Sequence, residues 1–284
     1  MLRLRKLYVD CVGEDGSVCI AYVSSLDAFG LGIAPAGIEH YDTRGRHAIR
    51  RGRALLSLAR EPAADALSVL QFELDGRRAV LELEPEQDAL PLPEGAPPGL
   101  RWCVKLARAR VHVRDLRGPG DVFSGTGYAD WVELARMPRG LGLLQLDWGR
   151  VHLPGASVIY TALERSRGPA FRSATFWPRG GTPRAIEQFS LSECAQTGTQ
   201  RLRLEQRGGA LELELRPERA LHQGSAVDAA RFPSRIERGL SRAVAGPTRE
   251  RRWLSRARCA ELGAGFAVHE SVRFGRLAAE RSGA

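Results

Sequence analysis

The residues with most chemical potential lie in two short runs. The first holds Gly125, Gly127, Tyr128, Asp130, Trp131 and Glu133, and the second holds Asp147, Trp148, Gly149 and Arg150. In an extended chain alternate side chains share a face. Tyr128, Asp130, Val132 and Leu134 would then lie together, with a carboxylate among apolar neighbours. Removal from water disfavours the ionised form and raises the pKa, which is what a general acid near neutral pH requires. In the second run Leu146, Trp148, Arg150 and His152 share a face. Arg150 would pair with Asp130 if the two strands are neighbours, pulling that pKa back down. The plainer alternative is an Asp130 that faces solvent on a strand the glycines merely bulge.

A third run lies near the C-terminus. Val268, Glu270, Val272 and Phe274 fall on one strand face, and His269, Ser271 and Arg273 on the other. Glu270 is therefore expected among apolar neighbours and His269 at the surface. A buried Glu is usually paired, so a salt bridge between Glu270 and an arginine is expected, with a second catalytic carboxylate as the alternative. Trp102, Trp177 and Trp253 read first as core packing and second as cavity lining. The five cysteines are scattered singly, without CxxC or metal-ligand spacing, and read as buried thiols; no metal is expected. No Gly-x-Ser-x-Gly, phosphate loop or dinucleotide fingerprint is present. The chemistry left is cofactor-free.

Strands must position these groups. Residues 68–84 form two alternating runs across Asp75-Gly76, with Leu70, Phe72 and Leu74 on one face, and Leu81 and Leu83 sharing a face of the return strand. Similar strands are expected at 4–11, 18–24, 100–113, 141–153, 157–163, 202–216 and 266–274. Gly/Pro clusters at 91–98, 117–120 and 179–183 separate them. The few helix-like stretches are short, notably 48–60 and 226–243. Many short strands with such turns argue for an all-β barrel or sandwich. Residues 71–86 align without gaps to 203–218, matching Glu73 to Glu205, Leu81 to Leu213, Leu83 to Leu215 and Pro85-Glu86 to Pro217-Glu218. A repeat at this separation implies two domains of similar plan: residues 1–165 and 166–284, divided near 165–169.

With 284 residues, 43% of them hydrophobic, the chain can bury a core, and no apolar run of about eighteen residues spans a bilayer. A cytoplasmic location is expected. The net charge of +9 comes almost wholly from arginine, since Lys6 and Lys105 are the only lysines. The arginines are dispersed and no recognition element accompanies them, so specific nucleic-acid binding is not expected. Peripheral attraction to an anionic membrane surface fits better, because an apolar substrate would come from there.

Several motifs resemble those of the carotenoid 1,2-hydratase (hydroxyneurosporene synthase) family. They are Ala107-Arg108-Ala109-Arg110-Val111, the run from Gly125 to Asp130, Asp147-Trp148-Gly149-Arg150, and Val268-His269-Glu270-Ser271, in that order. Leu7-Tyr8-Val9-Asp10 followed by Glu14-Asp15-Gly16 is similar to that family's first hairpin. The resemblance implies two tandem lipocalin-like (calycin) antiparallel barrels with few short helices. It also implies an Asp that protonates an isolated C=C bond, with water trapping the tertiary cation. Asp130 takes the place of that acid, and Val132 stands where the family carries Asn. Leu146 replaces the first Trp of a Trp-x-Trp pair.

Two function classes follow. One is a cofactor-independent lyase on an isoprenoid or polyene. Asp130 would donate the proton, Tyr128 and Arg150 would position it, and Trp131 and Trp148 would stack on the cation; Glu133 and Glu270 complete the expected substrate-binding set. An isomerase or cyclase of Diels–Alder type is a variant of this class. The other is a non-catalytic binding protein for an apolar small molecule. Fold does not separate the two.

Overall fold

The computed structural model describes residues 2–28, 31–56, 58, 60–63, 65–90, 95–116, 118, 120–136, 138, 140–206, 209–225 and 246–275. Nine strands form the first sheet: β1 (Leu2–Val12), β2 (Val18–Ala28), β3 (Leu31–Ile33), β4 (Ala36–Tyr41), β5 (His47–Ala54), β6 (Val69–Leu74), β7 (Arg77–Gln87), β8 (Leu100–Arg114) and β9 (Val122–Leu134). Nine more form the second: β10 (Leu143–His152), β11 (Ala156–Arg165), β12 (Phe171–Pro178), β13 (Arg184–Ile186), β14 (Gln188–Glu193), β15 (Gln200–Gln206), β16 (Gly209–Gly224), β17 (Thr248–Cys259) and β18 (Gly263–Phe274). All pairings are antiparallel, and among the described residues the only helical element is a 3-10 turn at Asp65–Leu67.

The first sheet has the order β1-β9-β8-β7-β6-β5-β4-β2-β3, and β1 also pairs with β2. That extra ladder closes the sheet into a barrel, with the short β3 paired to β2 alone. The second sheet has the order β13-β12-β11-β10-β18-β17-β16-β15-β14. Its two ends are separated in sequence only by Glu187, and β12 also contacts β14, so this sheet curls round as well. Each barrel has its own core. Leu7, Val9, Phe72, Leu81, Val111 and Trp131 belong to the first, and Val151, Tyr160, Leu202, Leu213, Ala257 and Ala267 to the second. Among the described residues no helix is long and apolar enough to cross a membrane.

Alternation explains the local structure. In β6 and β7, Leu70, Phe72, Leu74, Leu81 and Leu83 are all buried, and Asp75 and Gly76 turn the chain at φ values of 50° and 73°, as a two-residue hairpin demands. The aligned segments occupy matching places: β7 is two strands from β9, and β16 two strands from β18. In both, the ladder slips at the Pro-Glu pair, between Pro85 and Gln87 and between Pro217 and Arg219.

Two expectations need correction. Residues 48–54 are strand, not helix, because β5 bridges β4 and β6; that pairing overrides the Ala/Leu/Arg propensity. The helical reading of 226–243 falls outside the described residues. The division expected near 165–169 is the turn between β11 and β12 inside the second sheet, with Gly168 at a φ of 79°. The chain changes sheets between Leu134 and Leu143, and the compact units divide between residues 137 and 138. A hairpin turn and a linker use the same Gly/Pro chemistry, which is why one was read as the other.

Candidate functional site

The site begins with the pleat of β9. Ala129 and Trp131 belong to the first barrel's core, so Tyr128 and Asp130 point to the opposite, outer face. Residues directly paired across an antiparallel ladder share a face. On β1, Tyr8 lies opposite Asp130 and Asp10 opposite Tyr128; on β8, Val104 lies opposite Asp130 and Trp102 opposite Val132. The outer face thus collects two carboxylates, two phenols and an indole. It is nonetheless buried: Asp130 is 4% exposed, Tyr8 3%, and Tyr128 and Asp10 0%.

Two ring donors fix the carboxyl of Asp130. Trp102 Nε1 and the Tyr128 hydroxyl each donate to its Oδ2 at 3.0 Å. Irregularities in β8 frame this segment, one between Val104 and Leu106 and another between Leu106 and Ala109, so β8 carries extra residues opposite Tyr128 and Asp130. Bulges of this kind re-aim side chains beside functional sites. Lys6 lies on the same face of β1, with its ammonium 5.5 Å from the centre of the Tyr8 ring.

The electrostatics are a contest. Burial pushes the Asp130 carboxyl up to about 6, opposed by the Trp102 and Tyr128 hydrogen bonds and the Lys6 charge, and aided by the nearby Asp10 carboxylate. Burial, and after it the charge of Asp130, push the Tyr128 phenol well above its ordinary value. Tyr128 is thereby held as a neutral donor. Asp130 is left as an acid that can release and recover a proton near neutral pH.

The other expected site residues lie on the other face of β9 or in the second sheet. Trp131 is a core residue of the first barrel, 0% exposed, because alternation turns it away from Asp130. Glu133 shares that alternate face and accepts from Arg3 Nε at 2.5 Å. Arg150 is not a strand neighbour of Asp130: β9 pairs with β1 and β8, whereas β10 pairs with β11 and β18. On its own strand Arg150 Nη1 lies 3.0 Å from His152 Nδ1. Trp148 is paired directly with Glu270 in the second sheet. Glu270 sits in a buried ion-pair cluster, accepting from Arg252 Nε at 2.7 Å while Arg252 Nη2 reaches Glu250 at 2.6 Å. That agrees with its structural reading.

His269 is not at the surface. It is 2% exposed, bonded to the Ser255 hydroxyl at 2.7 Å and stacked on Trp253, and burial lowers its pKa to about 4. The expectation failed because β18 is buried on both faces from Ala267 to Val272. Of the cysteines, Cys11, Cys19, Cys103 and Cys259 are buried thiols and Cys194 is exposed. Sequence reasoning missed Trp102, Lys6 and Asp10 as members of the site. Their only sequence signal was membership of strands whose register was unknown.

No family model and no curated protein matches the chain. Solved structures do. An AttH protein from Nitrosomonas europaea is similar over 96% of this chain and 93% of its own, at 13% identity and a TM-score of 0.61. CghA matches over 96% of this chain and 88% of its own, at 12% identity and a TM-score of 0.67, and its complex with Sch210972 gives 0.65. Kievitone hydratase from Nectria haematococca matches over 96% and 89%, at 11% identity and a TM-score of 0.55. The chain therefore has the tandem lipocalin-like fold that these proteins share.

Proposed function

We propose that this protein is a cofactor-independent acid catalyst acting on an isolated C=C bond of an apolar isoprenoid or polyene, with hydration as its outcome. The observation that carries this reading is the buried Asp130 carboxyl, raised to about 6 and held by Trp102 and Tyr128. Protonated Asp130 transfers its proton to the less substituted alkene carbon, and the π pair becomes the new C–H bond. The tertiary cation is captured by water, and the proton released from that water returns to the carboxylate. Trp102, Tyr128 and Tyr8, all on the face of Asp130, supply the π surfaces that stabilise the cation. Trp131, on the opposite face of β9, has no part in this step. One structural neighbour is named a hydratase, which supports water addition; ring closure of the same cation is the second outcome open to this acid. An apolar substrate partitions into membranes, and the net charge of +9 favours delivery from an anionic surface.

The test is incubation with acyclic carotenoids and prenylated aromatics, kievitone included, in heavy water. Mass spectrometry should find a product heavier by one water, with deuterium at the protonated carbon. Asp130→Asn should slow turnover by at least about 100-fold. Equal rates in that variant would remove Asp130 as the acid. The rate of the native enzyme should fall as pH rises through about 6, because only the protonated carboxyl is competent.

A further inference from the structure

We infer that the open end of the second barrel is a separate binding site for a small hydroxylated carboxylate, independent of Asp130. A cavity of about 240 Å³ opens there, lined among others by Asp147, Gln200, Arg251, Ser271 and Arg273. At roughly 30 Å³ per water this is room for a ligand of about five to eight heavy atoms. The residues belong to the barrel's inner face. Asp147 is four residues before Val151, Arg251 six before Ala257, Ser271 four after Ala267 and Gln200 two before Leu202, and those partners are all core residues.

The polar groups have a definite polarity. Ser271 is paired directly with Asp147 on one side and Arg251 on the other, so cation, hydroxyl and carboxylate lie in a row across three strands. Among the described residues the Arg251 guanidinium makes no ion pair and no hydrogen bond; it lies over the Trp253 ring, 5.2 Å from the centroid. The nearby Arg172, by contrast, already binds Glu164 at 3.0 Å. Gln200 is 6% exposed, and its Oε1 has no hydrogen-bond partner among the described residues. A buried acceptor without a donor costs free energy that a ligand hydroxyl would recover. Asp147, held by Gln145 at 2.7 Å, offers a second acceptor. The ligand these groups recognise has an anionic end for Arg251 and Ser271 and hydroxyls for Gln200 and Asp147.

The probes are sodium glycerate, sodium propionate and inorganic phosphate, titrated into the full chain at constant ionic strength by calorimetry. Emission of Trp253, identified by its loss in Trp253→Phe, reports engagement of Arg251. Glycerate should saturate in about the millimolar range. Arg251→Gln should weaken it at least about tenfold, and Arg251→Lys by less, since the charge stays but the fork is lost. Gln200→Leu should weaken glycerate by about threefold to tenfold and leave propionate unchanged. Circular dichroism matching the native protein establishes that each variant is folded. Absence of saturable glycerate binding, equal affinity for propionate, binding of phosphate alone, or native affinity in Arg251→Gln would each overturn the assignment.

Discussion

At Asp130 two opposed effects decide the chemistry. Desolvation raises the carboxyl and its ring donors restrain it, leaving it at about 6 rather than fully neutralised. The donors stabilise the ionised form, so removing one should move the titration upward. Trp102→Phe and Tyr128→Phe are each expected to raise the Asp130 midpoint by up to about one pH unit. Carbon NMR of labelled aspartate measures this without a substrate; a midpoint that stays near 6 in both variants would show that the two hydrogen bonds do not restrain the acid. Tyr128 and Asp130 were legible in the sequence because they stand two apart on one strand. Trp102 was not, since its position 28 residues before Asp130 matters only through the β8–β9 register. Trp131 was misassigned for the converse reason: it adjoins Asp130 in sequence, and the pleat puts it on the other face.

Strands are close enough to make the site because β9 has glycines where it meets β1. A Cβ on Gly127 would lie 2.4 Å from the Asp10 carbonyl oxygen and from Val111 Cγ2, and one on Gly125 would lie 2.2 Å from the Val12 carbonyl oxygen. Contacts with backbone cannot be relieved by a rotamer change. Gly127→Ala should therefore loosen the β1–β9 ladder that helps close the barrel, costing more than about 2 kcal/mol. A lowered denaturation midpoint with faster amide exchange across Val9–Cys11 would show it; native exchange there would mean the strands had room. The hairpins were readable wherever one strand face is wet, as in β6 and β7. Elsewhere the pattern carried less. Inward positions of β17 are filled by Trp253, Ser255 and Ala257, too weakly apolar as a set to stand out among its arginines. In β18 both faces are buried, and alternation wrongly sent His269 to solvent.

Taken whole, the molecule repeats one plan and places a different buried ionisable group in each copy. Asp130 in the first barrel has a folded pKa of about 6 against an ordinary 3.8. Its native state holds the proton more tightly, so its stabilising contribution is present below about 3.8 and lost as pH rises through about 6. His269 in the second has a folded pKa of about 4 against 6.5. Its contribution is present above about 6.5 and lost as pH falls through about 4. Each amounts to about 3 kcal/mol, on the order of 10 °C in melting temperature for a barrel of this size. Acidification from pH 7 to 4 thus strengthens one barrel and weakens the other. Calorimetry should show Asp130→Asn stabilising the protein at pH 7 and doing nothing at pH 4, while the effect of His269→Gln shifts with pH in the opposite sense. If the barrels melt separately, the two transitions move apart on acidification. If they melt together, the slopes cancel in the native protein and each variant exposes the other. Variants that track the native protein across this range would mean that neither group is shielded from water.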